Sequence, residues 1–343
     1  MNVKKLVKKE VANLKAYSAK EIPCKIKLDA NESPYGFRKS LKVAGKIRTN
    51  RYPDPEAKTL KKLLGKTLAV KEDNILQGNG SDELIYYLIA TFGGPVLYPV
   101  PTFSMYGIIS QVLGEKKIEI PLDREFDLDI DKILVSIRKE KPKLIFLSSP
   151  NNPTGNCFSA EKILKIIEAS KGIVVVDEAY QPFSSKKGFL PLLKDYKNLV
   201  IMRTLSKIGL ASLRFGFMIA DAEIINEVNK VRLPFNVNSL SQAVAEEALK
   251  SKDQLNSFIK KITSDREKLF EGMEGIKGVN PFPSEANFIL FQIKNPDRVY
   301  IALLKKGILV RNLSEVIKGC LRVTVGKPEE NTVFLKTIKK ILG

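Results

Sequence analysis

Short apolar runs alternate with helix-patterned stretches from about residue 50 onward, and this alternation restricts the possible folds more than any other feature of the sequence. The run Ile-Val-Val-Val at residues 173–176 is typical of strands that are covered on both faces. Strands are predicted over residues 95–100, 143–147, 172–176, 198–202 and 215–219, with helical stretches such as residues 129–138 and 159–170 between most of them. This order predicts an α/β fold with a mainly parallel central sheet, flanked by helices and joined by right-handed crossovers.

The last third of the chain has a different order of elements. A long helical region over residues 238–276 is followed by short strands at 287–291, 307–310 and 321–325 and by a closing helix from Pro328. This order predicts a smaller α+β domain, and a length of 343 residues favours two domains. We therefore expect an N-terminal arm with a helix packing on the small domain (1–28), a large domain (29–250) and a small C-terminal domain (251–343).

Two features of the sequence argue against a membrane protein. The N-terminus is basic but lacks the apolar region of a signal peptide. Residues 84–114 carry no charge, but Pro95, Pro99 and Pro101 divide them into pieces too short to cross a bilayer. We predict no membrane association.

Composition excludes several kinds of site. The chain has no histidine, which excludes Ser-His-Asp and Cys-His catalysis and any histidine-ligated metal, and no metal site is predicted. Cys24, Cys157 and Cys320 are far apart and form no CxxC motif, which is typical of reduced thiols in a cytoplasmic protein.

The formal net charge of +19 allows two interpretations. One is a protein that binds nucleic acid, and the other is a solvated basic surface that also attracts anionic metabolites. The basic residues are spread along the whole chain, and no nucleic-acid module is recognisable. The second interpretation is favoured, and no nucleic-acid partner is predicted.

Polar residues follow three of the predicted strands where each strand ends. The segment around Asn152 follows the strand at 143–147, Asp177 and Tyr180 follow 172–176, and Lys207 comes shortly after 198–202. Ligands of parallel sheets bind beyond the carboxyl ends of the strands. Each feature alone has an ordinary explanation as a turn, a helix cap or a surface lysine, but together they predict a site at one edge of the sheet.

A glycine-rich turn precedes an apolar helix at residues 83–92. Its sequence, Gly-Asn-Gly-Ser-Asp at residues 78–82, could expose the first N–H groups of that helix to an anion. A plain N-cap is the alternative. With a lysine, a carboxylate and an aromatic side chain, such a turn would meet the needs of pyridoxal 5'-phosphate (PLP): an amine, a partner for the pyridinium nitrogen, phosphate donors and a stacking platform.

Nine motifs in family order make the chain resemble the histidinol-phosphate aminotransferases, a branch of the fold-type-I PLP enzymes, from about residue 28 to the C-terminus. They are LDANESPYG (28–36), RYPD (51–54), GNGSDE (78–83), PTF (101–103), SSPNNPTG (148–155), DEAY (177–180), TLSK (204–207), LRFGF (213–217) and LRVTVG (321–326).

The resemblance implies roles for residues around the cofactor. Lys207 would hold PLP as a Schiff base and shuttle the proton, and Asp177 would pair with the pyridine nitrogen. Asn152 and Tyr180 would bind the ring hydroxyl oxygen, and Phe103 would stack on the ring. The phosphate would be surrounded by the turn and by side chains of the following set: Gly80, Ser81, Asp82, Ser206 and Arg214.

The resemblance also implies partners and substrate contacts. Tyr52 would reach into the neighbouring subunit of a homodimer and contact both cofactor and substrate. Arg322 would bind a phosphate in one half-reaction and a carboxylate in the other, because its planar guanidinium accepts both. Further substrate contacts are expected from the following residues: Arg311, Tyr17, Asn31 and Asn152.

Two positions depart from the family pattern. Phe103 stands where the family usually has tyrosine, so stacking is kept but a hydroxyl is lost. The segment 208–213 is one residue shorter than in many relatives, which bears on how the chain reaches Arg214.

The resemblance predicts transamination between L-histidinol phosphate and 2-oxoglutarate in histidine biosynthesis. Three alternatives remain at this stage. They are an aromatic amino acid aminotransferase, a threonine-phosphate decarboxylase and a basic nucleic-acid-binding protein on an inactive PLP fold. Arg311 beside Arg322 favours a phosphorylated donor over an aromatic amino acid.

Overall fold

Two β-sheets organise the part of the chain that the computed structural model describes, which is residues 1–14, 22–37, 43, 45 and 47–343. In chain order the strands are β1 (Ile26–Leu28), β2 (Ile75–Asn79), β3 (Val96–Val100), β4 (Lys117–Pro121), β5 (Leu144–Ser148), β6 (Ile173–Asp177), β7 (Leu199–Thr204), β8 (Phe215–Ala220), β9 (Val279–Pro281), β10 (Phe288–Ile293), β11 (Ile308–Asn312) and β12 (Cys320–Thr324).

The larger sheet has the order β2-β8-β7-β6-β5-β3-β4. Strands β3 to β7 are mutually parallel, whereas β8 is antiparallel to both of its neighbours. Strand β2 therefore runs in the same direction as β7. The carboxyl ends of β2, β3, β5, β6 and β7 consequently lie along one edge of the sheet, together with the start of β8.

The five strands predicted for this sheet are present, and two further strands were not predicted. Strand β2 has only Ile75 and Leu76 as an apolar pair before polar and glycine residues, so it forms no apolar run. Strand β4 lies at the sheet edge and buries only Ile118 and Ile120 in alternation. Both patterns are too short or too polar to be distinguished from loops in the sequence.

The helices of eight or more residues cover the sheets. They are α2 (Lys58–Leu68), α3 (Ser81–Phe92), α4 (Met105–Val112), α5 (Ile130–Glu140), α6 (Ala160–Ala169), α7 (Ala222–Asn229), α8 (Ser239–Lys250), α9 (Lys252–Glu274), α10 (Pro296–Lys305) and α11 (Pro328–Leu342), preceded by the single turn α1 (Lys9–Ala12). Helices α5 and α6 begin where their caps predict, since Asp129 and Ser159 accept hydrogen bonds from N–H groups of the first turn.

Three helix predictions need correction. Asp54 followed by Pro55 is typical of an N-cap and a first helical position, and it predicts a helix from Pro55. The helix starts at Lys58 instead, because the Asp54 carboxylate accepts from the N–H groups of Glu56 and Lys58 in a preceding turn. The helical region 238–276 is two helices that meet at Ser251. The apolar residues at positions 3, 6, 7, 11 and 14 are spaced as one face of a single helix. In the structure this segment instead forms a 3-10 turn at Val3–Leu6 and the separate turn α1.

The smaller sheet has the order β1-β11-β12-β10-β9. Strand β1 is parallel to β11, so the end of the N-terminal arm joins this sheet. Helix α1 instead lies against α4, where Gln111 Nε2 donates to the carbonyl oxygen of Glu10 at 3.1 Å. Among the described residues, the arm at 1–28 thus contacts the smaller sheet through β1 and helix α4 through α1. The helix of the arm was expected to pack on the small domain, and this expectation is corrected. The division at residue 250 stays a prediction.

Successive residues of the central strands point to opposite faces, and each face has its own apolar cluster. Ile145 and Leu147 of β5 belong to a cluster that continues into the smaller sheet through residues such as Phe288. Leu144 and Phe146 belong to a second cluster that includes α3, α4 and α7. The central strands are therefore buried on both sides, as expected for a parallel sheet.

No helix in the described ranges combines the length and the apolar character that a bilayer crossing requires.

Candidate active site

The carboxyl edge of the larger sheet brings together the residues that the sequence places after its strands. Asp177 is the last residue of β6 and pairs in register with Ser148 of β5 and Met202 of β7. Lys207 lies in a short 3-10 turn that follows β7. Its Nζ lies 5.6 Å from the centre of the Tyr180 ring.

The Asp177 carboxylate is buried and holds two hydrogen bonds. Its Oδ2 accepts from the Tyr106 hydroxyl at 2.8 Å, and its Oδ1 accepts from the Ala179 N–H at 3.1 Å. Burial raises the pKa of Asp177 to about 6, although both hydrogen bonds and the nearby Lys207 ammonium act to lower it. The carboxylate is therefore mainly ionised at neutral pH. A cationic partner such as a pyridinium would stabilise this buried negative charge.

Helix α3 starts directly after β2 at the same edge. In the described structure Gly80 is the N-cap, and no side chain caps the first turn. The first N–H groups of α3 thus remain available to an anion at the positive end of the helix dipole. Ser81 begins this helix, and Ser206 is buried close to β8, with its N–H donating to Thr204 Oγ1 at 3.1 Å.

Two glycines allow the Arg214 side chain and strand β8 to lie close to this helix start. A Cβ atom on Gly80, which has a φ of +87°, would lie 2.5 Å from NH2 of Arg214. A Cβ atom on Gly216 would lie 2.6 Å from the backbone N of Ser81. The guanidinium of Arg214 pairs with the Asp82 carboxylate at 3.0 Å. The side chain of Asp82 therefore contacts arginine, while its helix position offers an N–H group to an anion.

The shorter segment before Arg214 still brings this residue to the site. Two 3-10 turns, Ser206–Ile208 and Ala211–Leu213, are joined through Gly209 with a φ of +101°. Arg214 itself adopts a left-handed φ of +50° at the start of β8. The chain therefore runs from Lys207 to Arg214 through two short turns.

Arg322 lies on β12 of the smaller sheet and is buried and fixed. One of its NH groups donates to Asn152 Oδ1, and the other donates to the Asp29 carbonyl oxygen at 2.9 Å. Its guanidinium lies 4.9 Å from the centre of the Phe288 ring. Asn152 follows β5, so this contact joins the two sheets at the site.

Arg311 stands opposite Arg322 in the β11–β12 pair. Directly opposed residues of an antiparallel pair project to the same face of the sheet. Arg311 is exposed and Arg322 is buried, so a deep and a shallow guanidinium share one face.

Asn31 forms hydrogen bonds with Tyr180 and with two residues of the smaller sheet's side of the site. Its Nδ2 donates to the Tyr180 hydroxyl at 2.9 Å, and its backbone N–H donates to Thr324 Oγ1 at 3.0 Å. Its carbonyl oxygen accepts from Asn287 Nδ2 at 3.0 Å. Because the Tyr180 oxygen accepts from Asn31, its own proton stays available for another acceptor.

Three remaining predicted residues lie in different surroundings. Phe103 follows β3 and makes an edge contact with Tyr106, with ring centres 5.6 Å apart. Tyr52 is 81% exposed and stacks on Phe235 at 4.6 Å. Tyr17 lies outside the described residues.

Sequence reasoning missed Tyr106 and the pair of Glu178 with Arg203. Arg203 Nε and NH2 both donate to Glu178 Oε2, at 2.9 and 2.7 Å, and Glu178 Oε1 accepts from the Phe189 N–H. This pair ties the end of β6 to β7, next to Asp177. For Glu178, its position directly after Asp177 was the sequence feature that could have indicated a role.

The residues at this edge fit PLP. A lysine amine and a buried carboxylate lie together, and the glycines at 80 and 216 let Arg214 and strand β8 lie close to an uncapped helix start. The donors at that start are N–H groups, hydroxyls and a guanidinium, which suit a phosphate.

Comparison with known proteins agrees with this geometry. The family model for aminotransferase class I and II matches residues 23–338. The histidinol-phosphate aminotransferase of Aquifex aeolicus is 44% identical over 98% of both chains, and histidinol-phosphate aminotransferase 2 of Nitrosococcus oceani is 42% identical over 97% of this chain and 96% of its own. The crystal structure of the Clostridium acetobutylicum histidinol-phosphate aminotransferase has a TM-score of 0.86 at 26% identity, covering 92% of this chain and 98% of its own. The chain therefore belongs to the class I and II aminotransferases, which are PLP-dependent transaminases.

Proposed function

We propose that the protein is a histidinol-phosphate aminotransferase. It exchanges the amino group of L-histidinol phosphate with the keto oxygen of 2-oxoglutarate and yields imidazole-acetol phosphate and L-glutamate, a step of histidine biosynthesis. The geometric observation that carries the choice of donor is the pairing of Arg311 with Arg322 on one face of the smaller sheet. The names of the full-length relatives support the same choice.

Lys207, Asp177 and the start of α3 would hold the cofactor. The Lys207 Nζ would carry PLP, the Asp177 carboxylate would face the pyridine nitrogen, and Arg214 with the N–H groups of α3 would bind the phosphate. Phe103 would stack on the ring, and Tyr180 with Asn152 would bind its hydroxyl oxygen. When bound, PLP supplies an electron sink for the carbon that loses a proton.

Lys207 is also the proposed general base. Its Nζ would take the proton from the Cα atom of the bound donor. A lysine base needs no histidine, so the composition of the chain is compatible with the reaction.

Arg322 would bind the anionic group of each substrate in turn. Its contacts with Asn152 and the Asp29 carbonyl fix the guanidinium plane, which can accept a phosphate or a carboxylate through two parallel hydrogen bonds. Arg311 would add a second charge for a dianionic phosphate. An amino acid donor with a single carboxylate gains less from this second arginine.

We also propose that the protein is a homodimer and that it acts in the cytoplasm. Tyr52 and Leu233 are largely exposed. Phe235, on which Tyr52 stacks, and Leu240 in the first turn of α8 are also exposed apolar side chains. Exposed apolar side chains that form a contiguous patch are typical of subunit contacts. Tyr52 would enter the partner's site, and the separate cysteines are compatible with a reducing compartment.

Half-reaction spectra test the substrate. The PLP form of the enzyme is mixed with L-histidinol phosphate or L-phenylalanine without 2-oxoglutarate, and conversion of the cofactor to its amino form is followed by absorbance. Because one charge-assisted contact contributes roughly 1.5–3 kcal/mol, we expect about 10- to 100-fold faster conversion per molar donor with the phosphate. Preference for phenylalanine, or carbon dioxide release from threonine phosphate without 2-oxoglutarate, would contradict the proposal.

A further inference from the structure

Tyr106 is a buried tyrosine that contacts two predicted cofactor residues at once. Its side chain is 0% exposed, and its hydroxyl donates to Asp177 Oδ2 at 2.8 Å. It lies three residues after Phe103, and the two rings meet edge to face at 87°. The acid and the aromatic platform are therefore fixed by one side chain.

The ring of Tyr106 is itself held in place. It stacks on Phe146 of β5 with ring centres 4.8 Å apart and planes 13° apart. Because the side chain is packed on the sheet and the hydroxyl points at its edge, the donor has a fixed direction.

The Tyr106 hydroxyl acts as a permanent donor. Burial, together with the adjacent Asp177 charge, raises the pKa of Tyr106 well above its ordinary value, so the proton stays on the tyrosine oxygen at any working pH. Asp177 Oδ1 already accepts from the Ala179 N–H. Each carboxylate oxygen thus receives one protein donor, and such donors favour the ionised form.

We propose that Tyr106 is a positioning residue that keeps the Asp177 carboxylate ionised and aimed at the pyridine nitrogen of bound PLP. This inference rests on the proposed cofactor role of Asp177. The competing interpretation is that Tyr106 only fills the apolar cluster on that face of the sheet.

Tyr106→Phe separates the two interpretations, because it keeps the ring against Phe103 and Phe146 and removes the hydroxyl alone. Loss of one donor raises the pKa of Asp177 from about 6. The carboxylate is ionised above its pKa, so the pH below which PLP is held weakly moves upward.

The measurement is the PLP dissociation constant of the resolved and reloaded enzyme between about pH 5.5 and pH 8.5, with the visible spectrum at each pH. One hydrogen bond to a charged group corresponds to a shift of about one pH unit, which weakens PLP binding only about twofold at pH 7 but about eightfold at pH 5.5. A midpoint that Tyr106→Phe leaves unmoved would overturn the positioning role.

Tyr98→Phe is the matched control. Tyr98 belongs to the same apolar cluster, but its hydroxyl donates to Glu119 Oε1 at 2.6 Å. Removing this hydroxyl should leave the pH midpoint of PLP binding unchanged. A shift equal to that of Tyr106→Phe would mean that the midpoint reports general loosening, which also overturns the proposal.

Asp177→Asn distinguishes failure of this inference from failure of the underlying assignment. In the Asp177→Asn background, Tyr106→Phe should have no further effect on the pH midpoint, which would support the proposal. If Asp177→Asn alone leaves the wild-type profile intact, the role of Asp177 is wrong. If Asp177→Asn removes the midpoint but Tyr106→Phe does not move it, only the role of Tyr106 is wrong.

Discussion

Asn31 adopts a left-handed backbone, with a φ of +55°, at a buried position between the two sheets. Asparagine tolerates this conformation better than most residues. Its backbone groups are bound by Thr324 and Asn287 of the smaller sheet, and its side chain binds Tyr180 at the edge of the larger one. The amide therefore connects the small-domain strands to a residue proposed to bind the cofactor.

We predict that Asn31→Gly lowers kcat by about fivefold while the protein stays folded. Glycine keeps the left-handed backbone and its two hydrogen bonds. The variant loses the donor to Tyr180, at about 1 kcal/mol, and the longer contact of 3.3 Å in which Asn31 Oδ1 accepts from Thr324 Oγ1. Asn295→Gly is the control, because Asn295 has a φ of +54° and makes no cap hydrogen bond in the described structure. Steady-state kinetics and melting temperatures of both variants test this, and full activity of Asn31→Gly would refute it.

The meeting of Asp177, Lys207 and Asn152 could be predicted from the sequence, because each follows a strand and parallel strands end at one edge. The hydrogen bond from Tyr106 could not. Tyr106 sits in an uncharged helix, and its partner is 71 residues away along the chain. Such non-local contacts depend on how α4 packs on the sheet, which periodicity does not specify.

At the scale of elements, the start of α3 illustrates how a turn, a helix and a distant arginine form one anion site. Strand β2 ends at Asn79 and α3 begins at Ser81, so only Gly80 connects them. Its φ of +87° and its lack of a Cβ atom are both required, because the Arg214 guanidinium occupies the adjacent space.

We predict that Gly80→Ala weakens PLP binding by about tenfold, because the new methyl group displaces Arg214 and so removes a charge-assisted contact to the phosphate. Gly278→Ala is a closely matched control, since Gly278 has a φ of +89° and nothing within 4 Å of its Cβ position. Both variants should lose about 1 kcal/mol of stability to backbone strain. Titration of each apoenzyme with PLP tests this, and equal affinities in the two variants would contradict it.

The predictability of the elements follows from how each is buried. Strands covered on both faces, such as β5, β6 and β7, appear in the sequence as continuous apolar runs. The edge strand β4 and the break between α8 and α9 have no such signal in the sequence. Strand β4 depends on its neighbour in the sheet, and the helix break occurs at a single serine. Elements with weak local signals are fixed by tertiary packing.

At the scale of the whole molecule, the two sheets share an apolar cluster, and the proposed site lies where residues from both meet. Tyr52 is the exception among the proposed cofactor residues that the structure describes, because its ring is 81% exposed and contacts Phe235 instead of the sheet edge. An exposed aromatic side chain with a proposed site role is accounted for if a second subunit receives it.

Mixed dimers test this arrangement directly. Lys207→Ala and Tyr52→Ala each impair a homodimer, but a mixed dimer would combine the intact Lys207 of one subunit with the intact Tyr52 of the other in one of its two sites. Random reassociation of equal amounts should therefore restore about a quarter of the wild-type activity. Lys207→Ala mixed with Arg214→Ala is the control, since both residues serve the same subunit's site and no restoration is expected. If Tyr52 acted within its own subunit, the first mixture would stay as inactive as the control, because no site would then contain both side chains.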